Sequence, residues 1–382
     1  MAAIGFSLDI SNMSRTKSDL QAALDAAAMA IAIKVPSGLS DAELETLGKS
    51  HFAAHADMRL LRQGHTPEFR YHGLSIDDDG VQHVISSMTF PYRTFFADAA
   101  ELVAQSDMGI RQFSLTTRIS VRTGDTACVY ALNRTAPRAV EAAGNTSIIM
   151  DGCVVASNSA ADDAIYVGGS ATLSADCLQS SGGIDATAGL TLDCASSRQN
   201  AWPLPDPFAR LPEPMPPILL SEPKASDTVV RAGRYWNLDL SGTKTLEPGI
   251  YYIDNDLDIK GTVTGEGVVF YIKNGSVTVN GNASLSLSAP TTGEYAGMLF
   301  ISDALNTSSH IFNGNGATDL NGYLYFPKGD LTYVGNNSTS SNCLRIVADT
   351  VEMSGNSTLR SDCTAELGGR EAKVSGPLHY TR

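Results

Sequence analysis

A right-handed parallel β-helix (β-solenoid), preceded by an α+β region with a long N-terminal helix, is the fold class that the sequence predicts. Three observations carry it. A pattern of apolar-x-apolar-x-Gly followed by small polar residues recurs as "VEAAGNTS", "IYVGGSAT", "LDIKGTVT", "VTVNGNAS", "LTYVGNNS" and "VEMSGNST". Within it, the pairs Gly261/Gly281 and Gly335/Gly355 are spaced by twenty residues, a period that means stacked supersecondary units. Only 18% of residues are charged while 43% are hydrophobic, which suits neither a disordered chain nor a helical bundle.

The α+β region is expected over residues 1–127. The stretch "SDLQAALDAAAMAIA" is rich in alanine, the best helix former, and Leu20, Leu24, Ala27 and Ile31 follow helical spacing. Ala22, Ala26 and Ala30 line a second, smooth face. Pro36 and Gly38 end this helix. A second helix is expected from Ser40 towards Leu61, with Glu43 completing a capping box. Two strands around the turn Asp77–Asp79, a short helix in "RTFFADAAELVAQ" and a strand in "IRQFSLTTRISVRT" follow.

The β-helix is expected over 128–382. In each copy two apolar residues face inward, Gly permits a tight corner and Asn, Ser or Thr supply turn hydrogen bonds. The copies are interrupted at 198–224, where "WPLPDPFARLPEPMPPILLSEP" holds eight of the chain's 16 prolines. That composition is extended rather than helical. Trp202, Phe208, Leu211 and Ile218 make it a segment packed along the solenoid flank, not a free linker.

Six cysteines, Cys128, Cys153, Cys177, Cys194, Cys343 and Cys363, contain no C-x-x-C pair and no adjacent His cluster, which argues against zinc. Their even number favours disulfides and an oxidising compartment. Of the 15 connectivities that six cysteines allow, those closing loops of about one repeat are Cys177–Cys194 and Cys343–Cys363, leaving Cys128–Cys153. Export then needs a signal, and "MAAIGFSLDIS" is too short an apolar stub to be one. A membrane segment upstream is therefore expected. The net charge of −14 excludes a nucleic-acid partner, which would need a basic face.

Candidate chemical sites are sparse. His51 and His55 have the i, i+4 spacing of a helical metal pair, but Phe52 stands where H-E-x-x-H has Glu. Asp254, Asp256 and Asp258 alternate as in a calcium loop. An EF-hand starting at Asp254 would need Gly at its sixth position and Glu at its twelfth, where Ile259 and Gly265 stand. A strand with Leu257 and Ile259 inward and the carboxylates in water explains the alternation better, so no cofactor is expected and calcium at this triad is the lesser reading. With Lys260 these residues are also the best local cluster for polysaccharide cleavage, but no matching group recurs one coil later and no nucleophile motif is present. A non-enzymatic protein is expected. Tyr323, Tyr325 and Tyr333 are candidates to stack on sugars from the coil surface, although at least some of them must belong to the core.

"LDISNMSRTKSDLQAALDAAAMAIA" closely resembles the N-terminal signature of the TadE/TadG-like proteins of Flp (Tad) pilus assembly. Asp9, Leu20, Gln21, Asp25 and Ala26 to Ala28 match it. "GNTSIIMDGCVVASNS", "DPFARLPEP" and "NGYLYFPKGDLTYVGN" resemble later portions of longer members. The resemblance implies a non-enzymatic component of the bacterial cell envelope, periplasmic or extracellular on a pilus. It implies partners among the other pilus-assembly subunits, and the inner membrane through the upstream segment. Leu20, Gln21, Leu24, Asp25, Ala26, Ala27 and Ala30 would form its assembly helix, with the β-helix contacting a surface, a glycan or a partner. The alternative expectation is an extracellular carbohydrate-binding or polysaccharide-degrading β-helix.

Overall fold

The computed structural model describes residues 2–35, 39–56, 67–76, 82–92, 111–121, 126–186, 189–194, 197–224, 226–314, 318–335, 338–341, 343–355, 358–362, 367, 371–372 and 378–381. The chain divides into two units, residues 1–124 with 375–382, and residues 125–374.

In the first unit, helix α1 (Ala2–Lys34) packs against α2 (Asp41–His55) and an antiparallel sheet of β1 (Glu68–Ile76), β2 (Gln82–Tyr92) and β3 (Arg111–Val121). The predicted stripe is the packed one: Leu20, Leu24, Ala27 and Ile31 are all fully buried. Alanine lets the helices approach closely, and Gly48 of α2 does the same from the other side. A Cβ there would lie 2.7 Å from Ile31 Cδ1 and 2.8 Å from the Phe69 ring, so a larger residue would require those side chains to shift. The capping box forms as read, with the Ser40 amide (2.9 Å) and hydroxyl (2.8 Å) both donating to Glu43. The turn at Asp77–Asp79 and the helix expected after Tyr92 lie outside the described residues.

The sheet's fourth strand comes from the far end of the chain. Leu378–Thr381 pairs antiparallel with β3, His379 opposite Ser120. The sequence reading carries the β-helix to residue 382; the structure returns the last strand to the first unit.

The second unit is a parallel β-solenoid of about nine turns. Among its described residues, one sheet stacks nine short strands in the order Leu238–Leu240, Leu257–Ile259, Val277–Val279, His310–Gly314, Leu331–Gly335, Val351–Gly355, Val140–Ala142, Ile165–Val167 and Ile184–Ala186. This order is not the chain order. The chain enters at 127–131 in the seventh coil and winds outward for three coils to Leu192. It then crosses to the opposite end and winds six coils back, until Val351–Gly355 pairs with Val140–Ala142. A neighbouring sheet closes at the same level, Leu344–Ala348 against Ala127–Ala131.

Each rung places alternate apolar residues inside, as Leu257, Ile259, Val277 and Val279 do, all at most 1% exposed. Aromatic rings stack through the core between coils, Phe270 on Phe300 at 4.8 Å. The repeated corner is tight because Gly355, Gly144 and Gly169 lie over one another with φ of 98°, 76° and 71°, a left-handed conformation that side chains disfavour. At the open first coil, Lys244 occupies an inward position, yet its ammonium donates to the carbonyls of Lys224 and Asp227. It thereby satisfies backbone that no further coil covers.

The Pro-rich segment is the return path. It is extended and runs along the outer flank of the coils, as expected. The hydroxyl of Tyr130 donates to the carbonyl of Leu204 (2.9 Å), that of Tyr295 to Pro212 (2.9 Å) and that of Tyr252 to Glu213 (2.7 Å). Phe208 stands edge-on to Tyr323 and Tyr325, with centroids 4.7 and 5.3 Å away. Of the four residues expected to pack, Phe208 is buried and Leu211 half-buried, but Trp202 and Ile218 are 89% and 83% exposed.

Disulfides join Cys128 to Cys153 (Cα–Cα 5.6 Å) and Cys177 to Cys194 (5.3 Å). Cys343 is also disulfide-bonded; its expected partner Cys363 lies outside the described residues. The two bridges imply an oxidising, extracellular or periplasmic environment.

Candidate functional site

Two features carry functional potential, helix α1 in the first unit and a cleft in the second. Along α1, Leu20, Ala23, Leu24, Ala27, Ala28, Ile31 and Ala32 are spent on the unit's own core. Of the residues expected to form an assembly helix, Leu20, Leu24 and Ala27 are buried in this core, and Gln21, Asp25, Ala26 and Ala30, with Ala22, lie on the face it leaves less covered. Ala22 is exposed and the other four are half-buried. Gln21 donates to Asp25 one turn on (2.7 Å), fixing both side chains beside the alanines. N-terminal to this packed half, Ser11 to Asp19 continue the same helix and are exposed except Met13 and Thr16. Among the described residues no helix is long and apolar enough to cross a membrane.

The cleft, about 560 Å³, lies between residues 204–213 of the Pro-rich strap and the coil corners at 132–134, 271–273, 301–305 and 325–328. At one end Lys273 bridges Glu213 and Asp303, both at 2.8 Å. Asp303 also accepts from the Tyr271 hydroxyl (2.7 Å) and the Leu305 amide (2.9 Å). Burial opposes its ionisation, but the bonds from Lys273 and Tyr271 outweigh burial and lower its pKa. The bonds from Lys273 and Tyr252 lower that of Glu213. At the other end Asp206 accepts from Tyr325 (2.8 Å) and the Phe208 amide (2.9 Å). There burial prevails and raises the carboxyl's pKa. Arg134 and Lys328 are exposed at the rim, and neither is ion-paired among the described residues.

No protein family, no curated protein and no solved structure matches the chain.

The other expected sites do not assemble. Asp254 is buried and holds Arg234 with two bonds of 2.8 and 2.9 Å. Asp256 accepts from the Ser276 amide (2.8 Å) and hydroxyl (3.0 Å), while Asp258 lies 3.6 Å from Lys260. Only Asp258 is on a strand, Leu257–Ile259; Asp254 and Asp256 sit at the preceding corner, so the alternation read over all three is real for one. Each carboxylate is used separately, and no cluster of metal-ligating residues occurs among the described residues. His51 and His55 stack at 6.2 Å, and His55 Nδ1–H donates to the His51 carbonyl (2.8 Å), so the pair does not converge on an ion.

The tyrosines offered for sugar stacking are buried: Tyr323 and Tyr325 beneath the strap, Tyr333 in the core. Sequence reasoning missed the cleft because its parts lie far apart in the chain. The signal was present in "DPF", "YIK" and "ISD", where polar residues punctuate apolar runs at strand ends.

Proposed function

We propose that the protein is a minor, pilin-like subunit of a Flp/Tad-type pilus, with a structural and adhesive rather than a catalytic role. Helix α1 joins it to the membrane or to neighbouring subunits, and the solenoid is the displayed rod. The observation that supports this best is the divided burial of α1. Leu20 to Ala32 supply the buried stripe of the unit's core, while on the same helix Ser11 to Asp19 are exposed except Met13 and Thr16. A helix of 33 residues rises about 50 Å. An isolated exposed helical extension gains little stability by itself, so it is of use where it packs on something else. The chain topology suits the same reading: the solenoid is inserted between β3 and the terminal strand that pairs with it. Both ends of the rod's chain are thus anchored in one small unit.

The partners in this reading are other pilus-assembly subunits, and the location is the bacterial envelope or the pilus surface. Immunogold labelling of sheared surface filaments, together with deletion of the gene, tests it. Labelled filaments and loss of piliation or attachment are expected. Unlabelled filaments on piliated, adherent deletion cells would overturn it.

A further inference from the structure

We propose that the cleft between the Pro-rich strap and the coil corners binds an acidic saccharide, its carboxylate or sulfate held by Arg134 and Lys328. This goes beyond the pilin-like reading and does not rest on it. The chain has 41 acidic and 27 basic residues, so a cation without a carboxylate is the less expected state of a lysine or arginine here. Lys273 illustrates the ordinary case, shared by Glu213 and Asp303 inside the same cleft. Arg134 and Lys328 line that cleft, are exposed, and make no ion pair among the described residues, Lys328 acting on Asp206 only through the longer-range field of its charge. An anionic ligand group would complete them, and a guanidinium offers it a planar, two-pronged donor.

The remaining chemistry selects a sugar among anions. Asp206 has one hydrogen bond on each oxygen, and a carboxylate oxygen retains a further lone pair for a ligand hydroxyl. Apolar walls alternate with these acceptors: Leu211 on the strap and Leu305 at the mouth, the latter 87% exposed. That mixture fits a ring that presents C–H faces beside hydroxyls. A nucleic acid would need an extended basic face, which a net charge of −14 disfavours. The site is also held in shape. Tyr325 and Lys273 tie the strap to the coils at the two ends of the cleft, through Asp206 and Glu213. Preorganisation of this kind lowers the entropy cost of binding.

Isothermal titration calorimetry of the full chain tests the proposal with trigalacturonate, a sulfated disaccharide and neutral maltotriose as probes. At least one acidic probe is expected to bind, and maltotriose at least tenfold more weakly. Preference between the acidic probes identifies carboxylate or sulfate as the recognised group. The double variant Arg134→Ala/Lys328→Ala is expected to lose at least tenfold in Kd with unchanged circular dichroism and Tm, since both side chains are exposed. Absence of binding by both acidic probes, equal binding of maltotriose, or unchanged affinity in the folded double variant would overturn it.

Discussion

The side chain of Asn133 donates to Asp349 at 2.7 Å across 216 residues of sequence. Asn133 follows the first strand to enter the solenoid and Asp349 follows the strand that closes its last-formed coil. Their backbones pair as well, Asn133 N–H to the Asp349 carbonyl at 2.9 Å. The rod is thus completed in its middle, where the six-coil and three-coil arrays meet. Asn133 Oδ1 also accepts from the Thr135 and Ala136 amides, so Asn133→Ala removes the bridge and a turn acceptor together. A loss of about 1–3 kcal/mol is expected, with each half-buried polar group costing about 1 kcal/mol. Urea unfolding should register it as a lower midpoint.

The strap depends on one anchor more than any other. Phe208 is buried against Tyr323 and Tyr325, and Phe208→Ala is expected to cost about 3–5 kcal/mol. Strap release should precede loss of the solenoid, because the coils keep their own rungs. Limited proteolysis should therefore cut the variant within 198–224 faster than the wild type, while far-UV circular dichroism stays β-rich.

Acid should act through His310. It is fully buried and stacked on Phe326 at 4.0 Å; its Nδ1 accepts from the Val277 amide and Nε2 has no partner. Burial pushes its pKa from 6.5 down to about 4. Between those values the unfolded chain binds the proton and the folded one does not, so stability rises with pH. The contribution is present in full above pH 6.5 and is lost as pH falls towards 4. A shift of this size corresponds to about 3 kcal/mol. In His310→Asn, unfolding free energy measured from pH 7 to 4 should fall less steeply than in the wild type, the remaining slope coming from carboxylates.

The two disulfides with both cysteines among the described residues should differ in access. Cys128 and Cys153 are each 1% exposed within the core, whereas Cys194 is half-buried at the terminal coil. Mild dithiothreitol without denaturant is expected to reduce Cys177–Cys194 first, as mass spectrometry after alkylation would record. Closing a loop of 17 residues contributes about 3 kcal/mol in the chain-entropy model. Cys177→Ser/Cys194→Ser should therefore fray Leu190–Leu192 before the rest of the rod.

One buried hydroxyl offers a stabilising change. Ser302 continues the inward column of Ile253 and Ile272, and its Oγ has no hydrogen-bond partner. Removing such a group recovers about 1 kcal/mol, so Ser302→Ala is expected to raise the midpoint of thermal unfolding.

The solenoid was legible because its physics is local. Two inward apolar residues and a glycine corner, as at Val140–Ala142 and Gly144, suffice to make one rung. The order of coils was not legible. The seam of Ile346 on Val129 uses the same aliphatic pairing as any other rung, so nothing in either segment marks it as a join. Tyr323 and Tyr325 were misplaced for a related reason: their alternation puts them outside the coil, and only the strap, more than a hundred residues away, buries them. The helix stripe at Leu20, Leu24, Ala27 and Ile31 was read correctly because amphipathic spacing alone decides it, yet its consequence for docking needed the packed sheet.

The most direct test of the central claim concerns the alanine face of α1 that its own core leaves uncovered. Ala22→Glu and Ala26→Glu, produced in the native cell, should leave the disulfides and the β-rich circular dichroism intact, since both positions flank the core rather than fill it. The protein in sheared surface filaments, quantified by immunoblot, is predicted to fall at least tenfold for both variants. Wild-type amounts in the filament fraction for both would contradict an assembly role for this helix.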